Sequence, residues 1–594
     1  MTEHEMHAEG IHSEPKDFFH KYIWSYDHKM IGKQYLFTAF FFMVLGGLLA
    51  MMIRWQLAYP GQPVPVLGNL LHGHFFFDDN GGISPEGYLQ LTTMHGSIMI
   101  FLVMIPMLVA VFGNFLIPLS IGARDVAFPL LNALSYWLYL PAGIVFFSSF
   151  FVSGGAAEAG WTAYPPLSDV STSTPGSGMG QTLWLVGVFL VGFSSILGGV
   201  NFLTTIVKMR APGMTWTRLP LVTWAQLITA LFQALATPVL GSAVSLMFMD
   251  KVFHTSFFLP TGLHDSNDQL VGGGGGGHPI LWQHIFWFYS HPAVYILILP
   301  GMGIASELIS TFARKPIFAY KPMVISMSSI MGLGFIVWGH HMFLSGMSAA
   351  MGMGFMVTTM LIALPSAVKV FNWLGTLWRS NIHFTVPMMH ALSFLSMFII
   401  GGLSGIFMAA TPVDIYIHDT YYIIAHFHYI VFGGSVFAVF GGLYFWFPKM
   451  WGRMMNDKLG YIHWFLTFVS FNCTFFPMHL LGEGGHMRRL AMATEYQYLQ
   501  PMQDINVFIS ISAFVLGASQ LLFFFNYFYS MVKGPKAPAN PWNSITLEWT
   551  TASPTPYHNF DKIPTVYRGP YEYSGDEAAK KGTDWIAQDE KLPA

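Results

Sequence analysis

Six histidines stand in runs of apolar residues at spacings that suit metal ligation. His426 and His428 are one residue apart in Ala425-His426-Phe427-His428-Tyr429, and positions two apart on a helix point about 200° apart. One helix can therefore offer ligands to two centres on opposite faces, as neighbouring coaxial hemes require. Imidazole is a common axial ligand of heme iron. A low-spin iron needs a second one, and His95 in Thr93-Met94-His95-Gly96-Ser97 is the buried candidate. His291 and Tyr295 are four apart in Trp287-Phe288-Tyr289-Ser290-His291-Pro292-Ala293-Val294-Tyr295 and share a helix face. His340 and His341 are adjacent after Trp338-Gly339. Three neutral imidazoles with an open fourth position suit copper and leave room for a substrate, although zinc accepts the same set. A lone histidine in an apolar helix can be satisfied by a neighbouring carbonyl; the groupings are what point to metals.

The elements that must hold these residues are helices in a membrane. Of 594 residues, 53% are hydrophobic and 10% charged, against about 25% charged in soluble domains. Apolar runs of about 20 residues mark spans, and twelve are expected: Leu36–Leu57, Leu89–Leu119, Leu130–Val152, Leu183–Thr205, Leu221–Phe248, Ile280–Ile304, Met323–Phe343, Met351–Leu377, Phe384–Ala409, Tyr421–Trp446, Ile462–Leu481 and Ile505–Met531. The fold class is thus all-α integral membrane with twelve transmembrane helices. Net charge is −3, which leaves no nucleic-acid footprint. The single cysteine, Cys473, excludes disulfide frameworks and cysteine-rich metal clusters.

Basic residues in short loops set the orientation. One set of loops holds Arg124, Lys208, Arg210, Arg218, Arg314, Lys315, Lys321, Arg379, Lys449, Arg453 and Lys458; the other holds only Lys251, Arg488 and Arg489. Both termini are therefore expected inside, in the cytoplasm. Three segments follow: a polar N-terminal stretch over 1–33 with no signal-peptide pattern, the helical domain over 34–533, and a Pro-rich, charged tail over 534–594. Gly272–Gly277 reads as a flexible outer linker.

The histidine groups resemble subunit I of the aa-type cytochrome c oxidases, in the heme–copper oxidase superfamily, over about Lys33 to Met531. The resemblance implies the heme–copper oxidase subunit I fold and four-electron reduction of O2 to water coupled to proton translocation. It implies heme A at two sites, with His95 and His428 on low-spin heme a and His426 proximal to high-spin heme a3. His291, His340 and His341 would bind copper B, with Tyr295 covalently joined to His291. His418 and Asp419 resemble a magnesium site, completed by a glutamate of a partner subunit. Arg488 and Arg489 match the pair at the heme propionates, Trp161 and Asp414 match propionate-side positions, and Arg54 matches the arginine on the low-spin heme formyl. The implied partners are subunit II with copper A and the cytochrome c docking site, subunit III, and cytochrome c or a fused or associated cytochrome donor. The implied location is a bacterial cytoplasmic (inner) membrane.

Water formation consumes protons, so buried polar residues should lead to the centre. Lys369 sits mid-helix, where insertion costs roughly 2.5–3.5 kcal/mol. It matches the family's K-pathway lysine, with Ser366 and Thr359 beside it and Tyr295 at the end. Asp125 in Gly122-Ala123-Arg124-Asp125 resembles the inner mouth of the D-pathway, lined by Asn114 and Asn132, with Ser194 and Ser195 above. Much of the family carries a glutamate where this chain has Ala293; a glutamate-lacking subclass carries the Tyr-Ser pair seen here as Tyr289-Ser290, which is assigned to the upper pathway. A hydroxyl relays a proton but seldom stores one, its pKa being near 10.

A twelve-helix secondary transporter is the rival from another class. It predicts internal repeats and broken helices at the midplane, and it gives no reason for His-x-His, His-His and His-x-x-x-Tyr to occur together. Within the superfamily the alternative is a quinol oxidase, which carries a His and a Gln ahead of the low-spin heme histidine; Gly87 and Gln90 stand at those places. A nitric oxide reductase is disfavoured by Tyr295 and Lys369.

Overall fold

The computed structural model describes residues 14–170, 178–264, 269–270 and 275–591; Gly272–Gly274 of the glycine run, and the extreme ends of both terminal segments, lie outside these. Among the described residues there is no β-strand, and eleven helices are long and apolar enough to cross a membrane. In chain order they are α1 His28–Ala58, α2 Pro85–Ile121, α3 Pro129–Phe151, α4 Met179–Lys208, α5 Leu221–Phe253, α6 Pro279–Ala313, then, after the shorter α7 (Tyr320–Gly334), α8 Ala349–Leu377, α9 Val386–Ala409, α10 Tyr421–Trp451, α11 Asp457–Glu483 and α12 Gln500–Lys533.

The place of the expected seventh span is taken by a composite. Helix α7 covers Tyr320–Gly334 and is followed by a 3₁₀ turn at Trp338–Met342. Two glycines in this stretch lie close against aromatic rings. A Cβ on Gly334 would meet the Tyr295 ring at 3.1 Å, and one on Gly339 would meet the Phe355 ring at 2.3 Å. The turn carries His340 and His341 on a tight backbone rather than on a regular helix.

Helices α2, α6 and α10 form the buried centre, while α8 presents Leu364, Phe371 and other large apolar side chains outward. Two of the central helices are widened next to their histidines. In α2, π-helical stretches at Ile98–Met104 and Pro106–Val111 follow His95; in α10, a π-helical stretch at Val431–Val436 follows His428. Pro106 has no N–H to give to the carbonyl four residues earlier, and the Tyr139 hydroxyl donates to that Leu102 carbonyl at 2.5 Å instead. Gln226 donates to the Leu108 carbonyl at 2.8 Å. Buried backbone acceptors in an apolar bundle must be met from within the protein, so these side chains make the irregular turns tenable.

The tail after Lys533 crosses the end of the bundle where the first helix begins. Arg314 forms a bidentate pair with Asp584 at 2.6 and 2.7 Å. Arg218 donates to the Val566 carbonyl, and Lys449 to the Thr551 and Ala539 carbonyls. The tail also completes a helix: α5 starts after Pro220, which lends no side-chain cap. Its first two free N–H groups donate instead to the Tyr571 hydroxyl and to Glu307 of α6, and Tyr571 in turn donates to Glu307.

Candidate functional site

A cavity of about 1710 Å³ runs through the centre of the bundle and is lined by all six histidines. His95, His428 and His426 are each oriented by a partner on the far side of the ring. Gly46 in α1 offers its carbonyl to Nδ1 of His95 at 2.8 Å. Ile424, one turn earlier in α10, does the same for Nδ1 of His428 at 2.8 Å. Ser404 of α9 gives its hydroxyl hydrogen to the Gly401 carbonyl and meets Nδ1 of His426 at 3.0 Å. In each ring Nδ1 must therefore carry the proton, which leaves Nε2 bare as a ligand atom. Gly405 permits this packing, since a Cβ there would lie 2.8 Å from the His426 ring.

The other three histidines converge. His291 of α6 and the His340-His341 turn bring one ligand nitrogen each to within 4.8 Å of one another. Among the described residues this is the one group of three or more His, Cys, Asp or Glu placed to hold a metal ion. Nε2 of His340 is 3.1 Å from Nε2 of His341, which is 3.2 Å from Nδ1 of His291. His341 stacks on Trp287 at 3.7 Å between ring centroids, and Trp287 donates to the Tyr164 hydroxyl at 2.6 Å. Tyr295 stands edge-on to His291 with ring centroids 4.7 Å apart. His291 turns Nδ1 into the group, and its other nitrogen, Nε2, is buried without a partner. Three neutral nitrogen donors beside a cavity fit a copper ion, and the bare Nε2 atoms of His95, His426 and His428 along the same cavity fit heme iron.

At the end of the cavity away from the tail, the remaining expected residues form ion pairs. Arg488 is paired with Asp419 at 2.5 Å, and Asp414 with His418 at 3.1 Å. Burial works against a charged His418, yet the hydrogen bond and charge of Asp414, with Asp419, hold its pKa above the ordinary value. Burial, with Arg488 alongside, brings Arg489 down to about 10. Trp161 and both arginines line the cavity. Arg54 is buried, donating to Ser510 and the Asn506 carbonyl while its Nη1 has no partner; it lines the cavity too.

The two expected proton routes are placed differently. Lys369 is fully buried, with Nζ 2.6 Å from the Met302 sulfur, and Ser366 and Thr359 line the main cavity. Thr359 contacts Nδ1 of His340 at 3.0 Å. Asp125 lies in the loop between α2 and α3, and burial, with Asp27 nearby, pushes its carboxyl up to about 7. Asn132 is buried with both amide atoms unpartnered, as is Oδ1 of Asn114. Beyond them a small pocket of about 30 Å³ is lined by Asn114, Ser194 and Ser195. Tyr35, Ser135 and Gln233 complete its polar wall: Tyr35 lies 3.0 Å from Ser135 and 3.1 Å from Ser194, and Gln233 donates to Ser195 at 2.8 Å. Tyr289 and Ser290 are buried and line the main cavity, with Oγ of Ser290 unpartnered.

Tyr35, Ser135, Gln233, Ser404 and Thr359's contact with His340 were not singled out by the sequence. A hydroxyl in an apolar run was the only available signal for them, and many such hydroxyls merely return a hydrogen bond to their own helix.

The family model for cytochrome c and quinol oxidase polypeptide I matches residues 30–549. The chain is 48% identical over 550 residues to the cytochrome c oxidase subunit 1 of a Synechocystis species, covering 93% of this chain and 92% of that one. It is 44% identical to the corresponding protein of Thermostichus vulcanus, covering 96% of each. It is 41% identical to an alternative cytochrome c oxidase subunit 1 of Bradyrhizobium diazoefficiens, covering 98% of this chain and 94% of the relative. A solved heme–copper terminal oxidase dimer has the same fold, with a TM-score of 0.68 over 86% of this chain and 85% of that one at 16% identity. The chain belongs to the cytochrome c and quinol oxidase polypeptide I family. It is the catalytic, multi-pass membrane subunit of a terminal oxidase, and the chemistry of such enzymes runs on heme and copper. The transporter reading falls with this.

Proposed function

We propose that this chain carries the oxygen-reducing centre of an aa-type cytochrome c oxidase, with the following division of its residues. His95 and His428 hold low-spin heme a, His426 holds high-spin heme a3, and His291, His340 and His341 hold copper B. Bound heme and copper supply the redox chemistry, delivering electrons to O2 together so that peroxide is not released. The chain positions and protonates. The convergence of three imidazoles, His291 buried and His340 and His341 half-buried, at the edge of Tyr295 carries the reading, because a phenol there can give an electron and a proton to the same pocket.

Arg488, Arg489, Trp161 and Asp414 surround heme propionates, Arg54 offers its unpartnered Nη1 to a formyl group, and His418 with Asp419 contributes to a magnesium site. Lys369, Ser366 and Thr359 serve one proton route. Asp125, Asn114, Asn132, Ser194, Ser195, Tyr289 and Ser290 serve the other, which is the pumping route. Subunit II with copper A receives cytochrome c, and subunit III joins the complex. The basic loops place both termini and the 534–594 tail in the cytoplasm of a bacterial cell, with residues 34–533 as the catalytic domain.

The purified complex should show heme A in its visible spectrum and pyridine extract, copper by metal analysis, and oxygen uptake driven by reduced cytochrome c. Uptake driven by a quinol alone would assign the donor to the quinol branch. His341→Asn should lose one copper per chain and keep both hemes; unchanged copper would remove that ligand.

A further inference from the structure

The tail contributes one side chain to the neighbourhood of Asp125, and its contacts reach across the whole chain. Asn559 is fully buried, 531 residues from His28 in sequence. Its Nδ2 faces the Ala123 carbonyl at 2.9 Å, the Arg124 carbonyl at 3.1 Å and Nε2 of His28 at 2.9 Å. Its Oδ1 accepts from Lys29 at 2.9 Å. The amide can sit only this way round, since a flipped oxygen would face two carbonyl oxygens.

His28 is fixed by the same logic. Its Nδ1 lies 2.5 Å from the backbone carbonyl of Asn114. A carbonyl only accepts, so Nδ1 carries the proton and Nε2 accepts from Asn559. The backbone N–H of His28, at the start of α1, donates to the Asp125 side chain. Asn559 therefore touches the residue that donates to Asp125, the two residues that precede Asp125, and through His28 the backbone of Asn114.

We propose that Asn559 is a positioning residue for proton uptake: it locks the start of α1 against the Ala123-Arg124 backbone and so fixes the position of Asp125. This rests on the reading of Asp125 as the mouth of the pumping route. The C-terminal tail is then a working part of that mouth. Asn559 holds φ at +66°, a left-handed conformation that asparagine tolerates and glycine adopts freely. Asn559→Gly thus removes the amide without straining the backbone, and Asn559→Ala removes it with strain added.

The test uses the complete oxidase in vesicles. Fully reduced enzyme is mixed rapidly with O2 and proton uptake is followed with a pH dye; separately, anaerobic reduction of the oxidised hemes by dithionite is timed. Proton uptake on oxidation should slow by roughly tenfold in both Asn559 variants, the order expected when a reacting group loses its fixed position. Anaerobic heme reduction, served by Lys369, should keep its rate. Asp125→Asn is the reference. If Asp125→Asn is slow and both Asn559 variants are normal, the positioning role is overturned and the mouth stands. If Asp125→Asn is itself normal, the mouth reading fails. Loss of heme from both Asn559 variants, or equal slowing of both phases, would assign the residue to folding and overturn the proposal.

Discussion

Nδ1 of His340 lies 3.0 Å from the hydroxyl oxygen of Thr359, whose own hydrogen goes to the Phe355 carbonyl at 2.6 Å. The threonine oxygen can therefore only accept, and Nδ1 of His340 must be the donor. Nε2 is left bare and aimed at the convergence point with His291 and His341. Partners of this kind raise ligand basicity and fix ring orientation, and losing one costs roughly 10–100-fold in metal affinity.

Thr359→Val keeps the shape and removes the acceptor. Its copper content should fall on dialysis against a chelator that leaves the unaltered enzyme loaded, while both hemes stay. Thr359→Ser should retain copper. Equal copper retention in Thr359→Val and the unaltered enzyme would show that the hydroxyl does not orient His340.

Lys369 has no carboxylate partner in the contacts of its side chain, only the Met302 sulfur at 2.6 Å. A cation there is held against a standing cost, so a purely structural role would be met as well by an apolar chain of similar length. Lys369→Met should assemble with normal heme spectra and lose nearly all turnover in oxygen-electrode assays. Turnover near that of the unaltered enzyme would remove the lysine from the proton route.

How much of this was legible in the sequence depends on how local the cause is. Six histidines inside apolar runs, and a lysine mid-helix, announce themselves because each is costly where it stands. The spans were legible for the same reason, hydropathy being summed along the chain. The break of the seventh segment into Tyr320–Gly334 and the His340-His341 turn was not, and the rings that lie against Gly334 and Gly339 there come from Tyr295 and Phe355, on other helices. Nor were the contacts of Asn559 with His28 or Tyr571 with Glu307. Those pairs are joined by the fold alone, and nothing in the periodicity of either segment points to the other.

Asp125 makes a prediction about pH. Burial first, then the charge of Asp27, lifts its carboxyl from 3.8 to about 7. The raised value means the native state holds a proton that the unfolded chain releases, so this group's contribution to stability is complete below about pH 4. It is lost as pH rises through about 7. Infrared difference spectra of the enzyme should accordingly show a protonated carboxyl band at pH 6 that is gone by pH 8 and is missing in Asp125→Asn. A band that titrates near pH 4 would mean the carboxyl is solvated like an ordinary surface aspartate.

Ala293 puts no acid at that turn of α6, so in the proposed route the last relay to the centre falls to hydroxyls. Tyr289 is buried with its ring lining the cavity, and Ser290 next to it has an unpartnered buried hydroxyl. A phenol stays protonated at working pH; it can accept on oxygen and donate from its own O–H, and Phe can do neither. Tyr289→Phe should therefore lower the protons ejected per electron by vesicle-bound enzyme far more than it lowers oxygen consumption. Ala293→Gly alters the same turn of helix without touching a hydroxyl, and costs about 1 kcal/mol of helix propensity; it should leave the ejection ratio intact. If the two hydroxyls act in one chain, Ser290→Ala added to Tyr289→Phe should produce little further loss, because members of a single relay are not additive. Equal ejection ratios in Tyr289→Phe and Ala293→Gly would show that the hydroxyl pair does not carry the pumped proton, and would leave the polar pocket at Tyr35, Ser135 and Gln233 as the last mapped step of the route.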